Sequence, residues 1–190
     1  MKDTVNILIV GVGGQGTILA SDILTEAAMI SGYDAKKSEI HGMSQRGGSV
    51  FSHVRYGKKV YSPVIPEGKA NILLSLEEME TLRWLSFTGK STKVVVADTR
   101  ILPQEVNNYP EGIIEDLKSN FSNCYHIDTK MISEAINSPK TLNVTLLGII
   151  SNFIDLEMPA YMKAIESLVP KGTFEKNMEA FEYGRKMILS

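Results

Sequence analysis

The stretch Val5-Asn6-Ile7-Leu8-Ile9-Val10, ended at once by Gly11-Val12-Gly13-Gly14-Gln15-Gly16, constrains the chain more than any other. A mostly apolar run of this length, cut off by glycines, predicts a buried parallel strand. From Thr17 through Leu24 the apolar residues recur at helical spacing. Strand, Gly-x-Gly-x-x-Gly, helix is the order that builds a nucleotide-type crevice. In that reading Gly11 turns the chain tightly, Gly13 lets backbone approach an anion, and Gly16 lets the helix lie close on the strand. The helix start would add free N–H groups and the positive end of its dipole. Gly11, Gly13, Gly14, Gln15 and Gly16 are therefore a candidate anion site. The same glycines also fit a tight turn that binds nothing.

Whether a dinucleotide is held depends on a second feature, an acid about 20 residues on to bind a ribose hydroxyl. Glu39 is near enough, and Asp34 fits less well. The strand holding them, about Asp34 to Ile40, leads into His41-Gly42-Met43-Ser44-Gln45-Arg46-Gly47-Gly48 rather than a short turn and helix. That segment has neither helical nor strand periodicity. Gly47 and Gly48 can expose consecutive backbone amides as an anion nest. Arg46 adds a planar fork for phosphate or carboxylate, and Ser44 and Gln45 supply neutral hydrogen bonds. His41 titrates near neutrality by residue type, but nothing is spaced to act as its partner. His41, Ser44, Gln45, Arg46, Gly47 and Gly48 form the candidate ligand or subunit-interface loop.

Further along, Ser49 to Tyr56 predicts a strand, with Gly57-Lys58 as a turn and Lys59 to Ser62 as a return strand. Ala70 to Leu74 predicts a buried strand. Ser75-Leu76-Glu77-Glu78 matches a capping box for a helix over about Leu76 to Leu85. Lys93 to Asp98 is the next strand, with Asp98 either a turn residue or a crevice residue. A short helix from Pro110 to Asn120, a strand from Asn123 to Ile127 and a helix capped by Asp128 follow. Asn143 to Ile154 is apolar nearly all round, which requires burial by the fold or by another subunit. Two helices end the chain, either side of Pro170. This alternation predicts one α/β domain over 1–190, Rossmann-like and three-layered. Its sheet should be mainly parallel with a β-hairpin insertion, and its C-terminal part, about 129–190, helical.

Composition narrows the function. A net charge of -2 gives no electrostatic reason to expect nucleic acid. No apolar run approaches the roughly 20 residues that span a bilayer. Met1-Lys2-Asp3-Thr4 passes almost directly into a strand, leaving no room for a signal peptide, and a cytoplasmic protein is expected. The single cysteine, Cys124, cannot ligate an ordinary cubane iron–sulfur cluster, which takes four thiolates. His41, His53 and His126 lie on separate elements, so no metal site is expected. His53, His126 and Cys124 fall in strand patterns and read as structural.

The glycine turn, together with Glu39-Ile40-His41-Gly42-Met43-Ser44-Gln45-Arg46-Gly47-Gly48-Ser49-Val50, resembles the gamma-type domain of the 2-oxoacid:ferredoxin oxidoreductases. Asn143-Val144-Thr145-Leu146-Leu147-Gly148 and Ala180-Phe181-Glu182-Tyr183-Gly184 extend the resemblance over essentially the full length. Within that group the likeness is to beta subunits acting on indolepyruvate. The resemblance implies oxidative decarboxylation of a 2-oxoacid to an acyl-coenzyme A, with electrons passing to ferredoxin. It also implies a large alpha subunit carrying thiamine diphosphate and iron–sulfur clusters. The chain has no Gly-Asp-Gly with a later Asn-Asn of the thiamine type, and by itself it would hold neither group and be inactive. Two other readings compete. A stand-alone NAD- or flavin-binding oxidoreductase accounts for the glycines and Glu39. A purely structural subunit accounts for the apolar helix.

Overall fold

The structure, a computed structural model, describes residues 4–41, 48–102 and 108–187. Its centre is β1 (Val5–Val12), from which Ile7 and Ile9 point to one face of the sheet and Leu8 and Val10 to the other. All four are fully buried, and this two-sided burial is why the strand reads as a continuous apolar run. The glycine turn then delivers the chain into α1 (Thr17–Ile30), which ends at Ser31 and Gly32. The Gly32 N–H bonds Met29 O, the Tyr33 N–H bonds Ala28 O, and Gly32 takes a φ of 82°, a left-handed stop.

The sheet has six strands in the order β2 (Asp34–His41), β3 (Ser49–Gly57), β1, β4 (Ala70–Ser75), β5 (Thr88–Ala97), β6 (Cys124–Ile127). β1, β4, β5 and β6 are parallel neighbours, whereas β3 lies antiparallel to both β1 and β2. The hairpin is therefore β2–β3, joined through the 42–48 connection. Lys59 to Ser62 is not a return strand. Both edges of β3 are already paired, so no ladder is left for it. Instead the Val60 N–H goes to Asp34 Oδ2 at 2.9 Å, and Arg55 Nη1 donates to Ser62 O and Val64 O.

Helices cover both faces. One face carries α1, α4 (Thr129–Ile136), α5 (Leu142–Ile150), α6 (Met158–Leu168) and α7 (Phe174–Met187). The other carries α2 (Glu78–Arg83), the 3-10 turn Leu85–Phe87 and α3 (Ile113–Asn120). Every α5 residue from Asn143 to Ile150 is buried, so this chain's own packing explains its apolar character. Gly148 and Gly184 sit where α5 meets α7. A Cβ on Gly148 would fall 2.1 Å from Phe181 O, and one on Gly184 would fall 2.0 Å from Thr145 O. The two late stretches of the family resemblance are thus one helix–helix contact. Among the described residues no helix is long and apolar enough to cross a membrane.

Candidate functional site

Both candidate segments leave the same end of the sheet. β1 runs its carboxyl end into the glycine turn, and Val12 pairs with Ser49 while His41 pairs with Val50. The segment joining β2 to β3 therefore starts and ends beside that turn. The join is direct, since the Gly13 N–H donates to Gly48 O at 2.9 Å. Ser44, Gln45, Arg46 and Gly47 lie outside the described residues, whereas the His41 backbone belongs to β2 and Gly48 precedes β3.

The turn is held from within and from two other elements. Gln15 Oε1 accepts from the Val12 N–H at 2.8 Å, and its Nε2 donates to Leu76 O at 2.7 Å. The Gln15 N–H bonds Val12 O at 3.2 Å. Gly14 and Gly16 have φ of 97° and 81°, values that L side chains rarely adopt. Asn143, at the start of α5, donates through Nδ2 to Gly16 O at 3.0 Å. A Cβ on Gly16 would meet that Nδ2 at 2.4 Å, so a side chain here must displace the Asn143 amide and also adopt a strained φ. Gly16 provides no side-chain cap to α1.

The capping assignment at β4 needs correction. Ser75 is still in the strand, paired with Val10 and Val96, and its Oγ donates to Glu77 O. The cap of α2 is Glu77, whose Oε2 accepts from the Glu80 N–H at 2.8 Å. The same carboxylate accepts through Oε1 from the Ile101 N–H at 3.0 Å and from the Tyr109 hydroxyl at 2.6 Å. Burial and the Glu77 bond push the Tyr109 phenol well above its ordinary value. Glu78 accepts from Arg100 Nε at 2.9 Å, and this bond raises the guanidinium further. Glu80 accepts from the Ser49 hydroxyl and from Arg83 Nε. All three carboxylates are at most 3% exposed. They tie Arg100, Ile101, Tyr109 and the start of β3 to one short helix. The sequence pattern gives only Glu78 a role, as the acid of a capping box, and none to Glu77 or Glu80. The signal was three acids directly after a buried strand.

The remaining candidates are structural. Asp98 Oδ1 accepts from Thr129 N at 2.9 Å and Thr129 Oγ1 at 2.5 Å, so it fixes the β5–α4 corner. His53 is 4% exposed, and its Nδ1 accepts from the Ile65 N–H at 3.2 Å. Burial pushes its pKa down, aided by Arg55. Burial also pushes the Cys124 thiol up, away from nucleophile behaviour. Among the described residues no group of three His, Cys, Asp or Glu is placed to hold a metal ion.

The family model for pyruvate ferredoxin/flavodoxin oxidoreductase matches residues 6–187. The chain is 36% identical over 193 residues to indolepyruvate oxidoreductase subunit IorB of Thermococcus kodakarensis, covering 95% of this chain and 94% of that one. The fold matches the gamma subunit of a keto/oxoacid ferredoxin oxidoreductase from Geobacter sulfurreducens, with TM-score 0.75 and 24% identity, over 99% and 98% of the two chains. It also matches 2-oxoglutarate:ferredoxin oxidoreductase of Magnetococcus marinus, with TM-score 0.75 and 16% identity, over 98% of this chain but 31% of that longer one. The Magnetococcus structure holds 2-oxoglutarate, coenzyme A and succinyl-CoA. By the span of the family match and the full-length identity, the chain belongs to the pyruvate ferredoxin/flavodoxin oxidoreductase family.

Proposed function

We propose that this chain, as a single gamma-type domain, is the subunit without iron–sulfur clusters in a thiamine-diphosphate-dependent 2-oxoacid:ferredoxin oxidoreductase. Its 2-oxoacid is indolepyruvate or another aryl pyruvate. The observation that carries this is the 36% identity to an indolepyruvate oxidoreductase subunit along nearly the whole of both chains. The reaction releases the carboxyl group as carbon dioxide and passes two electrons to ferredoxin, and the acyl group becomes a thioester of coenzyme A. One cysteine does not fit a four-thiolate cluster, and the sequence has no Gly-Asp-Gly with a later Asn-Asn, so the clusters and thiamine diphosphate belong to a large partner subunit.

The contribution of this chain is to complete the shared site at the carboxyl edge of its sheet. Arg46 and the Gly47 and Gly48 amides grip an anionic group, either coenzyme A phosphates or a carboxylate of the partner. Ser44, Gln45 and His41 add hydrogen bonds. Gly11, Gly13, Gly14, Gln15 and Gly16 form the neighbouring turn that presents the start of α1. The Gly13–Gly48 bond supports placing these segments together. Anaerobic purification of the tagged chain from its source cells should recover a large cysteine-rich partner carrying thiamine diphosphate. That complex should reduce ferredoxin with aryl pyruvates and coenzyme A. Recovery of the chain alone, carrying NAD or flavin, would overturn the proposal. Arg46→Ala should raise the KM for coenzyme A or weaken subunit association, and unchanged kinetics and assembly would remove the loop from the site.

A further inference from the structure

The Gly-x-Gly-x-x-Gly turn and the fold around it ordinarily imply a dinucleotide, and the residues here do not fit one. Where strand order reverses, between β1 and β4, an open α/β sheet leaves a crevice at its carboxyl edge. In this chain Gln15 spans that crevice, from the Val12 N–H on one side to Leu76 O on the other. The space beneath is filled as well. A Cβ on Gly11 would meet Gln15 Oε1 at 2.8 Å, Thr17 Oγ1 at 3.0 Å and Leu76 Cβ at 3.2 Å. Within the turn, the amides of Val12, Gly13 and Gln15 are each bonded inside the protein.

The ribose end fails independently. A ribose-binding acid works from the strand beside β1, yet here β3 is inserted between β1 and β2. Glu39 is therefore two strand spacings from β1, about 9–10 Å, rather than one. It pairs across the ladder with Ser52 and forms an ion pair with Lys37 at 2.8 Å. Asp34 lies at the other end of β2, opposite Gly57, and accepts from the Val60 N–H.

We infer that Gln15 is a positioning residue that closes the switch-point crevice to dinucleotides and makes the glycine turn a joint between β1, β4 and the β2–β3 connection. Its carboxamide fixes Val12, and the next amide, Gly13, carries Gly48. The inference stands whether or not residues 41–48 take the role proposed above. Its cost to the chain is the loss of a cofactor site, and its product is a fixed attachment of Gly48 to the glycine turn.

The test uses the full chain. NADH and FAD, titrated by fluorescence and calorimetry to about 1 mM, should show no saturable binding, since a built site would saturate far below that. Gln15→Met keeps the bulk and removes both side-chain bonds. Hydrogen exchange at the Gly13 amide should then quicken at least about tenfold, while Leu8 and Ile9 in β1 keep their protection. Gln15→Glu, which keeps the acceptor for Val12 and loses only the donor to Leu76, should give a smaller change of the same kind. Saturable dinucleotide binding by the wild-type chain would overturn the inference. So would unchanged Gly13 exchange in whichever variant folds. If neither variant folds, the wild-type titration decides it.

Discussion

Gly184→Ala is the sharpest test of the helix contact beneath the site. An ideal Cβ at this position falls 2.0 Å from Thr145 O, 2.9 Å from the carbonyl carbon and 3.2 Å from the Ile149 amide nitrogen. An ordinary carbon–oxygen contact is over 3 Å, so α7 must retreat from α5 by about 1 Å along that line. The obstructing atoms are backbone in a fully buried helix, and no side chain can rotate away. Retreat of that size costs the apposed surfaces a quarter to a half of their dispersion attraction. Overpacking of this kind costs about 1–3 kcal/mol, and more where backbone must shift. Alanine returns about 1 kcal/mol through its higher helix propensity, which works in the opposite direction.

The expected net loss is about 2 kcal/mol, a fall in Tm of about 4–8 °C for a chain of this size. Urea unfolding of the full chain, followed by circular dichroism, reads it as a lower midpoint at unchanged slope. Gly148→Ala, whose Cβ meets Phe181 O at 2.1 Å, should behave alike. Once one substitution has parted the helices the second costs less, so the double variant should lose clearly less than the sum. A variant as stable as the parent, or stabilised by the propensity difference alone, would refute the close α5–α7 contact.

Three further outcomes follow from the site's geometry. Gly16→Ala combines a φ of 81° with a clash on the Asn143 amide, and should cost about 2–3 kcal/mol in urea unfolding; a loss below about 1 kcal/mol would mean that Asn143 yields freely. Glu77→Ala leaves the Ile101 N–H and the Tyr109 hydroxyl without their shared acceptor, at about 1–3 kcal/mol for each buried donor, and should cost about 2–5 kcal/mol in all. Ultraviolet titration of the folded variant should show one tyrosine, Tyr109, ionising at lower pH than in the parent. His53 must stay neutral to accept from Ile65, and burial lowers its folded pKa, so the unfolded chain binds the extra proton first. Stability is then full above about pH 6.5 and falls as pH drops from there toward the folded pKa. His53→Gln should flatten that slope in Tm against pH, and an identical slope in both proteins would remove His53 as its source.

What the sequence reveals here divides by physical cause. Local patterns are legible: β1 because both its faces are buried, the α1 stop because Gly32 takes a left-handed φ, the α4 cap because Asp128 accepts from Lys130 and Met131. Pairing between distant strands is not. Nothing within Ser49 to Tyr56 says that it will lie between β1 and β2, and a following Gly-Lys invites a hairpin that β3 has no free edge to form. The same insertion changes the meaning of Glu39, which qualifies by spacing and is excluded by one strand width.

The three buried glutamates failed to announce themselves for a different reason. A carboxylate is tolerated inside a protein only when donors reach it, and here the donors come from elsewhere in the chain: Ser49, Arg100, Ile101 and Tyr109. A sequence window sees the acids without those donors and offers only the local capping box. The same logic applies to Gln15, whose second bond reaches Leu76, 61 residues away. Each residue that organises the carboxyl edge does so through a partner on another element. That is why the glycine motif, read by itself, points to a nucleotide. Read with Leu76, Asn143 and Gly48, it describes a joint that ties β1 to the end of β4, the start of α5 and the residue before β3.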